Sequence, residues 1–195
     1  MWLLLLTAGL RIGEGLGLEW KDVDLVAGRI SIRQQAGVVN GNAIIGALKT
    51  PRSRRIVDVV GITLTALRRR RAAASREGHG SRFVFPTKNG KLVSRSNLRR
   101  DHFSAVCTAA EIDGVSFHSL RHTMTSHAYA IGVSPRVVAR RLGHASTKMS
   151  LDRYGHQLPD QQREAAARLE EQYLGDVTET AKGSKRQRRA LKIVA

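Results

Sequence analysis

The residues of this chain that could do chemistry gather in Phe117-His118-Ser119-Leu120-Arg121-His122-Thr123, followed by Leu142-Gly143-His144 and a tyrosine, Tyr154. They supply three histidines, an arginine and a phenol in a strongly basic chain. Such a set can grip a phosphate and attack it without a metal. Breaking a phosphodiester with a side chain needs a nucleophile, cations on the non-bridging oxygens, an acid for the leaving alkoxide, and groups that orient the parts. Arginine is the best non-metal clamp, because its fork binds two phosphate oxygens at once.

His118 and Arg121 are three apart at the start of a predicted helix. They therefore share a face, at a helix end that attracts phosphate. Arg121 can clamp while His118 donates a hydrogen bond or shuttles a proton. Alone, His-x-x-Arg is more often an ordinary polar helix face. His122 points differently and is expected to be a buried, hydrogen-bonded support. His144 ends a helix, where by itself it would answer the helix dipole. Tyr154 lies in a short predicted helix closed by Gly155; taken alone it reads as packing, as do Tyr129 and Tyr173. Arg11 sits in Gly9-Leu10-Arg11-Ile12-Gly13-Glu14, where Glu14 can hold its guanidinium. The bland alternative is a surface ion pair of little worth. Lys49 opens a basic loop, 49–55. A lysine there can protonate a leaving oxygen, contact a nucleic-acid backbone, or stay solvated.

The elements that must position these residues form an α+β fold. It is mainly α-helical, with a small three-stranded antiparallel sheet near the N-terminus. The apolar run near Trp2 predicts a buried helix that ends or bends at Gly9. Segments 29–33, 43–48 and 55–59 read as the strands, with Asn40-Gly41-Asn42 as a turn. Helices are expected over 63–76, from Ser94 to about residue 110, and over 118–131. A further helix, capped by Ser134 with Pro135 at its first position, ends at Gly143. Segments 147–154 and 160–174 are also read as helical, the second being amphipathic. Residues 176–195 form a basic tail expected to be disordered.

Composition narrows the partner. Among 195 residues, 33 Lys and Arg against 16 Asp and Glu give a net charge of +17. That excess argues for a polyanion, because each contacted phosphate releases counterions. No basic amphipathic helix supports an anionic membrane instead. The N-terminal apolar run is too short to span a bilayer and lacks a preceding positive region. A single cysteine, Cys107, fits a reducing cytoplasm, and the scattered histidines argue against structural zinc.

Taken in order, Gly9-Leu10-Arg11-Ile12-Gly13-Glu14, Lys49, His118-Ser119-Leu120-Arg121-His122, Leu142-Gly143-His144 and Tyr154 closely resemble the tyrosine recombinase (phage integrase) family. The resemblance covers that family's catalytic domain, from about residue 1 to 175. It implies that Tyr154 attacks the scissile phosphate to form a 3′-phosphotyrosyl bond. Arg11 and Arg121 would clamp the non-bridging oxygens, and Lys49 would protonate the 5′-hydroxyl. His118 would take part in proton transfer and His144 would hydrogen-bond the phosphate. Glu14 and His122 would support from behind. No metal or nucleotide cofactor is expected. The implied partner is double-stranded DNA, with self-association on it through the C-terminal helix, no membrane, and a cytoplasmic, DNA-associated location. The family usually carries an N-terminal domain ahead of this one, and the catalytic domain here is expected to be N-terminally truncated. Two alternatives stay open: a remnant that only binds DNA, with 132–144 opening a helix-turn-helix, or type IB topoisomerase chemistry.

Overall fold

A computed structural model describes residues 1–78, 80–144 and 166–171. Segment 166–171 is a short exposed helical stretch belonging to a second compact unit and is described by itself.

The first unit opens with α1 (Trp2–Ala8), which buries Leu4, Leu5 and Ala8 and ends on Gly9 in the left-handed conformation. A short α2 (Ile12–Leu16) follows, starting from Arg11. The three-stranded antiparallel sheet joins β1 (Val23–Asp24), β2 (Arg29–Ile32) and a later strand. Next comes a hairpin of β3 (Gln34–Val39) and β4 (Asn42–Ala47). After a tight turn, Pro51–Ser53, β5 (Arg55–Asp58) completes the sheet in the order β1-β2-β5. Ile30 stands opposite Val57, and Ile32 opposite Arg55. Strand alternation sends Ile30, Ile32 and Val57 into the core.

The expected three-stranded sheet is present, but its membership differs. Segment 43–48 pairs with β3 in a separate two-stranded sheet rather than joining 29–33 and 55–59 in one sheet. Asn40 and Gly41, both at positive φ, make the tight turn that closes this hairpin. β3 carries the sequence Gln-Gln-Ala-Gly, which has no apolar alternation, because its backbone packs against α2. A Cβ on Gly13 would lie 2.7 Å from the Ala36 carbonyl oxygen. Glycine is needed there for closeness rather than for its backbone angles.

Helix α3 (Gly61–Glu77) is tied to α1 through a 2.8 Å contact between the Thr7 and Thr63 hydroxyls. Three arginines of its run make contacts within the domain. Arg68 donates to the Leu25 carbonyl, Arg70 binds the Val84 carbonyl and Glu77, and Arg71 lies over the Trp20 ring. The helix predicted from Ser94 is one rod in three parts: α4 (Arg95–Leu98), a π-helical turn (Arg99–Phe103) and α5 (Ser104–Ala109).

Helix α6 (Phe117–Ala130) begins one residue before the predicted start. Ser116 caps it: its hydroxyl accepts from the Ser119 amide, and Ser119 answers by accepting from the Ser116 amide. Phe117 anchors this end in an aromatic cluster, 4.5 Å from Phe103 and 5.9 Å from Trp2 between ring centroids. Helix α7 (Pro135–Leu142) runs between Ser134 and Gly143 as the capping residues predict. The helices expected over 147–154 and 160–174 lie outside the described residues except for 166–171, which is helical. The tail, 176–195, is outside them as well. Among the described residues, no helix is long and apolar enough to cross a membrane.

Candidate active site

Arg121 lies within α6 and is almost wholly buried, at 4% exposure. One terminal nitrogen donates to the Gly9 carbonyl, at the end of α1. The other donates to the Leu142 carbonyl, at the end of α7, at 2.7 Å. Both acceptors sit at helix C-termini, where dipoles favour a cation. The second nitrogen also lies 3.1 Å from His144 Nε2. Arginine has no acceptor, so Nε2 must accept and a neutral His144 ring carries its proton on Nδ1.

Burial, aided by repulsion from Arg11, pushes the Arg121 guanidinium down to about 9. A bound phosphate would oppose that repulsion and favour the charged form. The arrangement is a cation held in place before any anion arrives.

Arg11 caps α2. Its backbone amide donates to Glu14 Oε2 and its Nη1 to Glu14 Oε1, both at 2.9 Å. About a third of the Arg11 side chain is exposed, and Nη1 makes its only ion pair among the described residues, with Glu14. Glu14 is 1% exposed and also accepts a two-pronged bond from Arg55, at 3.1 and 2.8 Å. Burial would raise the Glu14 carboxyl, but the hydrogen bonds and charges of Arg55 and Arg11 outweigh it and hold it below the usual range. Arg11 and Arg55 both repel Arg121 electrostatically, so three guanidiniums share one carboxylate.

Arg55 stands out here though its sequence position does not. It appears in the sequence only as the end of a basic loop. Its side chain is 4% exposed. A weak signal existed, since Arg55 falls on the inward face of β5 with Val57, and a core-facing arginine needs a partner.

Lys49 is exposed, just after β4, at the opening of the loop that leads to β5. It shares a cleft of about 370 Å³ with Arg11, Ile12, Gly13, Val93 and Arg95. His118 is exposed, and its ring meets His122 edge-on, with centroids 4.2 Å apart. His122 is half-buried rather than buried. Tyr154 lies outside the described residues. Thus Arg11, Glu14, Arg121 and His144 come together, Lys49 flanks Arg11, and the two α6 histidines pair with each other. Among the described residues, no group of His, Cys, Asp or Glu is arranged to hold a metal ion.

The domain is basic and mainly helical, with a buried arginine bridging two helix ends. The chain belongs to the phage integrase family, whose pattern matches residues 1–161. It is similar to the ICEBs1 integrase of Bacillus subtilis (strain 168), at 28% identity over 171 residues, which is 84% of this chain and 46% of that protein. Tyrosine recombinase XerD of Mycobacterium tuberculosis is 32% identical over 143 residues, 73% of this chain and 42% of that one. The fold matches that of the Tn1549 transposon integrase, solved in complex with circular intermediate DNA. That likeness has a TM-score of 0.73 and 24% identity, covering 86% of this chain and 58% of the other. The XerA recombinase gives a TM-score of 0.64 at 23% identity, covering 87% and 55%. The chain spans about half the length of the curated relatives it matches.

Proposed function

We propose that this chain is the catalytic portion of a site-specific DNA recombinase, cutting and rejoining strands through a 3′-phosphotyrosyl intermediate. The observation that carries the proposal is the buried Arg121 guanidinium, fixed by two helix-end carbonyls and His144, beside the Arg11–Glu14–Arg55 cluster. Such a preorganised cation stabilises charge developing on a phosphate without rearranging at the moment of reaction.

In this reading Arg121 and Arg11 clamp the non-bridging oxygens. Lys49, which lines the same cleft as Arg11, protonates the leaving 5′-oxygen. The Tyr154 hydroxyl attacks phosphorus, and its proton leaves through His118. His144 hydrogen-bonds the phosphate, and Glu14 orients Arg11. The attack of a second 5′-hydroxyl then reverses the step, so the bond is conserved and no nucleotide is consumed. Double-stranded DNA is the substrate, and the place of action is cytoplasmic and DNA-associated. Self-association on DNA would run through the helix containing 166–171, whose Leu169 is 51% exposed.

The test is a duplex with a nick beside the cleavage site, which traps the covalent complex. A protein–DNA adduct that disappears in Tyr154→Phe is expected. No adduct on the correct site, with duplex binding intact, would leave DNA binding alone as the function. Relaxation of supercoiled plasmid without strand exchange would point to topoisomerase chemistry.

A further inference from the structure

We infer that Arg55 is a positioning residue for strand cleavage, one buried guanidinium that sets the relative placement of Arg11, Lys49 and His144. The inference rests on the recombinase reading of the site. Four hydrogen bonds from Arg55 carry it. Arg55 Nη1 and Nη2 grip both oxygens of Glu14, at 3.1 and 2.8 Å, which fixes the carboxylate that Arg11 Nη1 binds at 2.9 Å. Arg55 Nε donates to the Arg141 carbonyl at 2.7 Å, pinning the last turn of α7 just before Leu142 and His144. Arg55 Nη1 also reaches the Ser53 carbonyl at 3.1 Å, holding the Pro51–Ser53 turn that follows Lys49.

Each of these segments carries one group assigned to the reaction, and this side chain bonds to all three. Four of the five guanidinium N–H groups are used this way. Its 4% exposure keeps it from meeting a duplex, so it acts through the others. Lysine could replace its charge but not its fork: an ammonium cannot hold both Glu14 oxygens and also reach the Arg141 and Ser53 carbonyls. The packing around it is equally specific. A Cβ on Gly143 would sit 3.0 Å from Arg55 Nη1 and 3.3 Å from Ser53 Cα, so the end of α7 rests on this group.

The test compares the full chain with Arg55→Lys and Arg55→Gln. Melting temperature is measured first, to establish the folded fraction. Adduct formation on the nicked duplex is then followed at saturating and half-saturating DNA, and sulfate affinity by calorimetry at fixed ionic strength. The expected result is a maximal adduct rate lower by about 10²-fold in folded Arg55→Lys, as small misplacements of reacting groups cost. The half-saturating DNA concentration should stay within about twofold, because the phosphate contacts of the outer surface are untouched. Sulfate should bind about tenfold more weakly, the size of change expected when a preorganised grip loosens. A purely structural role predicts a lower melting temperature with the wild-type rate per folded molecule, and that outcome overturns the inference. If Arg55→Gln does not fold, Arg55→Lys decides. If the wild-type chain itself forms no adduct, the recombinase reading fails. Arg55 is then judged on sulfate alone, where unchanged affinity in the variants overturns its role in shaping the anion site.

Discussion

Arg121 sits where a positive charge is hardest to keep and most useful to an incoming phosphate. Its two helix-end carbonyls hold it rigidly, while burial and Arg11 press its proton affinity downward. Arg121→Ala should therefore lower the adduct rate by on the order of 10²–10³, the usual effect of deleting one preorganised donor. Lys88→Ala, an exposed cation outside the cluster, should leave the rate nearly unchanged; equal losses would mean that Arg121 serves as a general backbone contact. Glu14 makes a different test. Its folded carboxyl titrates below the ordinary value of 4.5, so the stability it contributes is present above that pH and is lost as pH falls through the folded value. Glu14→Gln should destabilise the protein at neutral pH by about 3–5 kcal/mol, since Arg55 would be left buried with a neutral partner. It should also flatten the acid limb of the stability curve, read by urea unfolding between pH 5 and 2. An acid limb as steep as the wild type would place the responsible carboxylate elsewhere.

Elements were legible in the sequence where their ends are chemically marked. Ser134-Pro135 and Gly143 frame α7, and Gly9 closes α1. The start of α6 was misplaced by one residue because its capping box uses Ser119 in place of the commoner Glu or Gln. β3 could not be read at all, since it owes its strand conformation to α2 packing on its backbone rather than to alternating side chains. The candidate site divides in the same way. Arg11 with Glu14, and Arg121 with His144, were legible as residue types at a spacing. The edge-on contact of His118 with His122, and the role of Arg55, depend on where β5 and α6 lie in space. Gly143 joins motif to packing: its φ is +66°, and a Cβ there would lie 3.0 Å from Arg55 Nη1. Gly143→Ala should cost more than about 1 kcal/mol, from the left-handed backbone and the displaced guanidinium together. Denaturant unfolding would measure it. A loss of a few tenths or less would mean that α7 does not bear on Arg55.

At the scale of the whole molecule, the net charge of +17 meets a fold that uses many of its own arginines. Arg55, Arg68, Arg70, Arg71 and Arg141 are each engaged with carbonyls, carboxylates or a ring inside the domain. The side chains free to reach a partner are thus fewer than the composition suggests, although the net charge is not reduced, and salt dependence measures how many make contact. A duplex neutralising 6–10 phosphates should lose about 10³–10⁵ in affinity between 50 and 200 mM salt. The fitted slope counts the contacts directly. Arg121→Ala should lower its magnitude by only about 1, because a single phosphate contact is removed. Tyr154→Phe should leave it unchanged, because a phenol carries no charge at neutral pH. A loss under tenfold across that range would show that few of the cations reach phosphates. Binding would then rest on the few cations of the Arg11, Lys49 and Arg95 cleft, and Arg95→Ala would abolish most of what salt dependence remained.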